Sequence, residues 1–132
     1  MRIKIFKNMM LLCIITMMFS CSHKTTDKLV GNDRDSHGCI ASAGYVWSEA
    51  VKDCIRVWEV CERIDNGEKK VYVLFSDDKS LAEVFMDGGK TMLCKKVNDN
   101  LWESKKGKVS VSLQQGILKV HADKTDFSKS VR

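Results

Sequence analysis

Proline is absent from all 132 residues, so no reversal can be fixed by its ring and turns fall to Gly, Asn and Asp. Aromatic residues make up only 8 % of the chain, too few to scatter, and several crowd into one short segment. Long apolar runs are also missing. The stretch from Met9 to Phe19 is about half of the roughly 20 apolar residues a spanning helix needs, and Thr16 interrupts it. There is no close C-x2-C pair among the six cysteines, which argues against a zinc site. Acidic residues are absent from the first 20 positions, which carry Arg2, Lys4 and Lys7.

Those three cations ahead of a short apolar run read as an export signal over residues 1–20. Met18-Phe19-Ser20-Cys21 resembles the lipobox of bacterial lipoproteins, in which a small residue precedes a cysteine that receives lipid, palmitate included. The resemblance implies lipidation at Cys21 and anchorage in a bilayer. Without residues 1–20 the charge falls from +5 to +2, because that segment holds three basic side chains and no acidic one. A nucleic-acid partner then lacks its electrostatic motive. Residues 21–35 are polar and poor in aromatics, the composition of a tether that cannot bury enough surface to order itself. One domain is expected over residues 36–132, small enough to need covalent help.

Cysteine supplies that help. With Cys13 in the signal and Cys21 lipidated, Cys39, Cys54, Cys61 and Cys94 remain, an even number that in an oxidising compartment implies two disulfides and allows three connectivities.

From residue 69 onward strands and turns alternate: KKVYVLF, LAEVFM, TMLCKKV, LWES, VSVSL and ILKVHA, separated by SDDKS, DGGK, NDN, KKGK and QQG. Val109, Val111 and Leu113 alternate with Ser110 and Ser112, the pattern of a strand with one wet face. Val71 to Phe75 is apolar on both faces and so should be covered. Such short connections predict antiparallel neighbours, a meander over residues 69–122 that curls toward a partial barrel. The segment after residue 122, with Phe127 as its one apolar anchor, reads as a loosely held tail.

Residues 36–64 form a cysteine-rich module. Val51, Cys54, Ile55, Trp58 and Cys61 fall at helical spacing behind Ser48, while CIRVWEVCERI is rich in β-branched and aromatic residues. A hairpin is favoured over the helix, with a short strand near Tyr45 to Trp47 and a longer one from Cys54. The fold class is therefore mainly β: a disulfide-stapled hairpin module followed by a small antiparallel meander.

The pattern Cys39-x3-Ala43-Gly44-Tyr45-x-Trp47-Ser48-x5-Cys54-Ile55-Arg56-x-Trp58-Glu59, preceded by Asp33-x-Asp35-x-His37-Gly38, resembles a module of exported lipoproteins in Bacteroides-like bacteria for which no activity is established. Members with cysteine at the position of Ser48 pair it with the one at Cys61. The resemblance thus implies a Cys39–Cys54 bridge and, with Ser48 in place of a cysteine, Cys94 as the substitute partner of Cys61.

Catalysis finds little support. A cysteine nucleophile needs a base and a lowered pKa, and the one pair worth naming is His37 with Cys39, which the even count assigns to a bridge. Asp33, Asp35 and Gly38 look like the start of a calcium loop, but His37 replaces an oxygen ligand and Gly44 stands where the bidentate glutamate belongs. A polar turn explains them better, and neither metal nor cofactor is expected. Tyr45, Trp47, Trp58 and Trp102 are candidates for a ligand face, since aromatic side chains offer large area at low entropic cost; in so small a domain they equally suit the core.

These readings converge on a lipid-anchored, non-catalytic binding or structural module of the bacterial envelope, with an envelope protein or glycan as partner. SHKTT after Cys21 carries no acidic cluster and resembles lipoproteins held at the outer membrane facing the periplasm rather than those exported to the surface. An inhibitor of lysozyme or a peptidase is the alternative, because the anchored meander is similar in size and layout to membrane-bound inhibitors of c-type lysozyme. Their Ser-Gly-x-x-Tyr loop has no counterpart here.

Overall fold

The computed structural model describes residues 33–131. The expected signal over residues 1–20, the lipidation site Cys21 and the tether as far as residue 32 lie outside the described residues. Among those described, no helix is long and apolar enough to cross a membrane.

Ten strands form two sheets. The hairpin β1 (Val46–Ser48) and β2 (Asp53–Ile55) stands apart, and β3 (Glu62–Asp65) through β10 (Thr125–Ser130) form one antiparallel sheet in sequence order. The intervening strands are β4 (Lys70–Phe75), β5 (Leu81–Met86), β6 (Lys90–Asn98), β7 (Leu101–Ser104), β8 (Val109–Gln114) and β9 (Ile117–Ala122). The expected mainly β architecture is what the chain adopts, with each strand of the meander falling within a residue or two of its predicted bounds.

Period-2 patterning drives the curl. Trp102 faces Val111, Val111 faces Val120 and Val120 faces Phe127 in successive registers. This row points inward with Ile64, Val71, Val73, Val84, Cys94, Val109 and Leu118 to make one core. The sheet is nearly closed: β3 and β10 lie side by side, and Lys129 Nζ bridges to Glu62 Oε2 at 2.6 Å across the seam. A bulge between Lys96 and Asn98 leaves Val97 outside the ladder and exposed, as extra residues in a strand do.

The expected loose tail is instead β10, paired with β9 over six residues, with Phe127 buried. Asp123 and Lys124 both take positive φ, 49° and 63°, which makes a two-residue loop of the hairpin-favouring kind. A carboxylate and a lysine are weak substitutes for Asn-Gly, which hides this turn from composition.

The hairpin forms as expected, but the second strand is short. Val46↔Ile55 is its last pair, because Gly44 at φ 81° turns the opposing chain away. Residues after Ile55 therefore have no ladder to join, and Val57–Val60 close into one helical turn, α1, before β3 begins.

Candidate functional site

The module over residues 33–61 is held at three places. Cys39 and Cys54 form a disulfide closing a 15-residue separation, which in the chain-entropy model contributes about 3 kcal/mol. Ahead of it, the Asp35 carboxylate accepts from the backbone N–H of His37 at 2.8 Å and of Cys39 at 2.9 Å, and the Asp33 carboxylate accepts from the N–H of Ser42. Hydrogen bonding holds both carboxyls below the usual range, Asp33 through Ser42 first and Asp35 through Cys39 first. Both acids are thus spent on a turn, including the end of the stretch expected to be tether.

The third attachment joins hairpin to barrel. Glu83 sits on the outward face of β5, 2 % exposed. Its Oε2 accepts from Ser48 Oγ at 2.6 Å and from the N–H of Ala50 at 3.2 Å. A carboxylate under a loop is costly unless hydrogen-bonded, and here the hairpin supplies the donors. The signal for this in the sequence is a lone glutamate inside the apolar strand LAEVFM.

The pairing of Cys61 with Cys94 does not form, and both are free thiols. Period-2 geometry explains it. Cys94 pairs with Ala82 in the inward row, whereas Cys61 lies on the outer side of the sheet, near enough to Glu83 to feel its charge. A sheet separates the two sulfurs. Burial, then Glu83, pushes the Cys61 thiol up to about 12; burial, then Glu103, pushes Cys94 up to about 11. Neither supplies thiolate at neutral pH, so neither is poised as a nucleophile. His37 stacks on Trp47 with ring centroids 4.3 Å apart and planes 4° apart. His121 meets Asp126 at 2.6 Å on the exposed side of β9. Among the described residues no group of three or more His, Cys, Asp and Glu side chains is placed to hold a metal.

The four aromatic candidates separate. Trp102 is 2 % exposed, packs edge-on against Phe75 and donates from Nε1 to the Lys79 carbonyl at 2.8 Å; it is core and leaves the ligand face. Trp47 is half-buried between His37 and Glu49, to which its Nε1 donates at 2.9 Å. Tyr45, also half-buried, lies under the Arg56 guanidinium, 4.6 Å from its ring centroid.

Trp58 stands out at 60 % exposed. Its ring lies across Gly44, so closely that a Cβ there would fall 2.1 Å from Cη2. Beside it Arg56 Nε donates to the Ala43 carbonyl at 3.1 Å and its other nitrogen pairs with Glu59 at 3.0 Å. Val46 and Val60 are exposed on the same module. The result is an apolar ring seated on a glycine shelf, bordered by an ordered Arg56–Glu59 pair.

Compared with protein-family models, with curated proteins and with solved structures, the chain matches none, so the resemblance drawn from the module rests on the motif's own residues.

Proposed function

We infer that this protein is a lipid-anchored, non-catalytic binding module of the bacterial envelope, held to the membrane through Cys21 and meeting an envelope protein or glycan through the hairpin face centred on Trp58. The observation that carries this reading is the 60 % exposure of Trp58 on a segment fastened by a disulfide and by the Ser48–Glu83 contact. Large aromatic surface on a preorganised support loses little entropy on binding. Both free thiols are protonated at neutral pH, and Cys39 is bridged, which favours binding over catalysis.

Capture of partners by the tagged full chain from its own membranes tests the reading, with the Trp58→Ala variant alongside. A specific partner lost in the variant supports it, and the same captured set from both chains contradicts it. For the anchor, Cys21→Ser should abolish palmitate labelling and release the protein from membranes. The inhibitor reading is favoured by the near-closed eight-stranded meander; titration against c-type lysozyme and a peptidase panel, with no inhibition at micromolar concentration, removes it.

A further inference from the structure

The described residues contain as many basic as acidic side chains, yet the topology sorts them. Four turns meet at one end of the barrel: those following β3, β5, β7 and β9. They and the adjoining strand ends bring Lys69, Lys70, Lys90, Lys105, Lys106 and Lys108 to that end, all exposed, with Lys124 beside them. Asp65, Glu68, Asp87 and Asp123 are the acids of these turns and strand ends, four against seven lysines.

The convergence is physical as well as topological. Lys90 Nζ pairs with Asp123 at 2.9 Å, and Asp123 is held below the usual carboxylate range by Lys90 first and, after it, by the charges of Lys69 and Lys108. Lys90 thus meets the carboxylate directly, Lys69 and Lys108 from two other turns lie near enough to add their charge, and among the described residues Lys70, Lys105, Lys106 and Lys124 make no ion pair. Every cation in the set is lysine. Arginine, whose planar fork recognises individual phosphates bidentately, is absent from the turns themselves, and Arg63 on the adjoining β3 is paired with Asp65 at 3.4 Å. Hydrated point charges spread over a barrel end suit a broad anionic surface better than a single bound phosphate.

We propose that this lysine-bearing barrel end docks on the anionic headgroups of a phospholipid bilayer. Clustered lysines at a membrane surface each strengthen attachment through the surface potential, and the attraction weakens within a Debye length. β3 begins at Glu62, at the opposite end of the barrel, directly after the α1 turn that carries Trp58. Seating the lysines on headgroups therefore leaves the end from which α1 enters the barrel facing away from the bilayer. The attachment is independent of lipid at Cys21.

The test is sedimentation of the full chain with phosphatidylcholine vesicles and with vesicles of phosphatidylcholine and phosphatidylglycerol in equal amounts. The quantity read is the ratio of anionic to neutral binding, compared between chains that share the same N-terminal segment with its Arg2, Lys4 and Lys7. Wild type should favour the anionic vesicles, with a ratio that falls as salt rises. The triple variant Lys105→Glu, Lys106→Glu, Lys108→Glu should lower that ratio by about a hundredfold at low salt. The triple variant Lys79→Glu, Lys95→Glu, Lys119→Glu, with the same charge change elsewhere, should lower it far less. Equal loss in both variants, or no anionic preference in wild type, overturns the proposal. So does displacement by inorganic phosphate beyond that of chloride at equal ionic strength, which would mark a discrete phosphate site. Retention on polyglutamate without preference for anionic vesicles would also overturn it, in favour of an acidic protein partner.

Discussion

Ser48 Oγ donates to the buried carboxylate of Glu83 at 2.6 Å, across 35 residues of sequence, and this contact fixes the hairpin module on the outer wall of the barrel. A buried acceptor that loses its donor bears its desolvation cost as well as the lost bond. Ser48→Ala leaves that oxygen with only the Ala50 N–H at 3.2 Å. The expected cost is about 1.5–3 kcal/mol, read as a lower urea midpoint at unchanged slope. A loss below about 0.5 kcal/mol, within ordinary surface variation, would show that the contact is not what holds the module.

Gly44 carries two constraints that can be separated. Its φ of 81° favours glycine, and its open side is filled by Trp58. Gly44→Ala must therefore both strain the backbone and displace the ring. The variant should lose on the order of 1–2 kcal/mol and shift Trp58 fluorescence. In a Trp58→Ala background the same substitution should cost only the backbone share. Equal costs in the two backgrounds would mean the ring does not rest on Gly44.

The two exposed-versus-buried tryptophans should behave as opposites. Trp102→Ala empties the core and removes the tie to the β4–β5 turn, with an expected loss of about 3–5 kcal/mol. Trp58→Ala should leave thermal unfolding nearly unchanged while abolishing partner capture. A large destabilisation by Trp58→Ala would return that residue to a structural role.

The thiols give a pH signature. Under denaturing, non-reducing conditions Cys61 and Cys94 should both take up iodoacetamide while the Cys39–Cys54 peptide stays linked; a Cys61–Cys94 peptide would contradict the topology. In the folded protein the alkylation rate of Cys61 should keep rising about tenfold per pH unit beyond pH 9, where an ordinary thiol levels off, toward its value of about 12. Both thiols titrate higher folded than unfolded, so the unfolded chain releases their protons first. Stability contributed by the neutral thiols is complete below about pH 8.5 and should decline as pH climbs through about 11 to 12.

The barrel was the legible part of this chain, because alternation such as Val109-Ser110-Val111 and turn runs such as DGGK impose period 2 locally. Residues 125–130 offer only Phe127 as an apolar signal. Their strand state comes from pairing with β9, a tertiary term invisible in composition. The helical turn at Val57–Val60 was signalled by the helical spacing of Trp58 and Cys61 but outweighed by β-branched residues that argue for a strand, and only the late start of β1 at Val46 denies them a partner. The Cys61–Cys94 expectation failed because count and family resemblance ignore which face of a strand a side chain occupies. Of the four aromatic candidates, sequence could not separate Trp102 from Trp58. Both stand in short β-rich text, and only the closed row through Trp102, Val111 and Val120 decides which is inside.

The central claim is that the protein meets its partner through the Trp58 face. It is tested most directly by placing a benzophenone photocrosslinker at position 58 of the full chain in its own membranes, with the same probe at Val97, which is 58 % exposed on the barrel. A discrete crosslinked species should form from position 58 and be absent from position 97. The same products from both positions, or none from position 58, would contradict it.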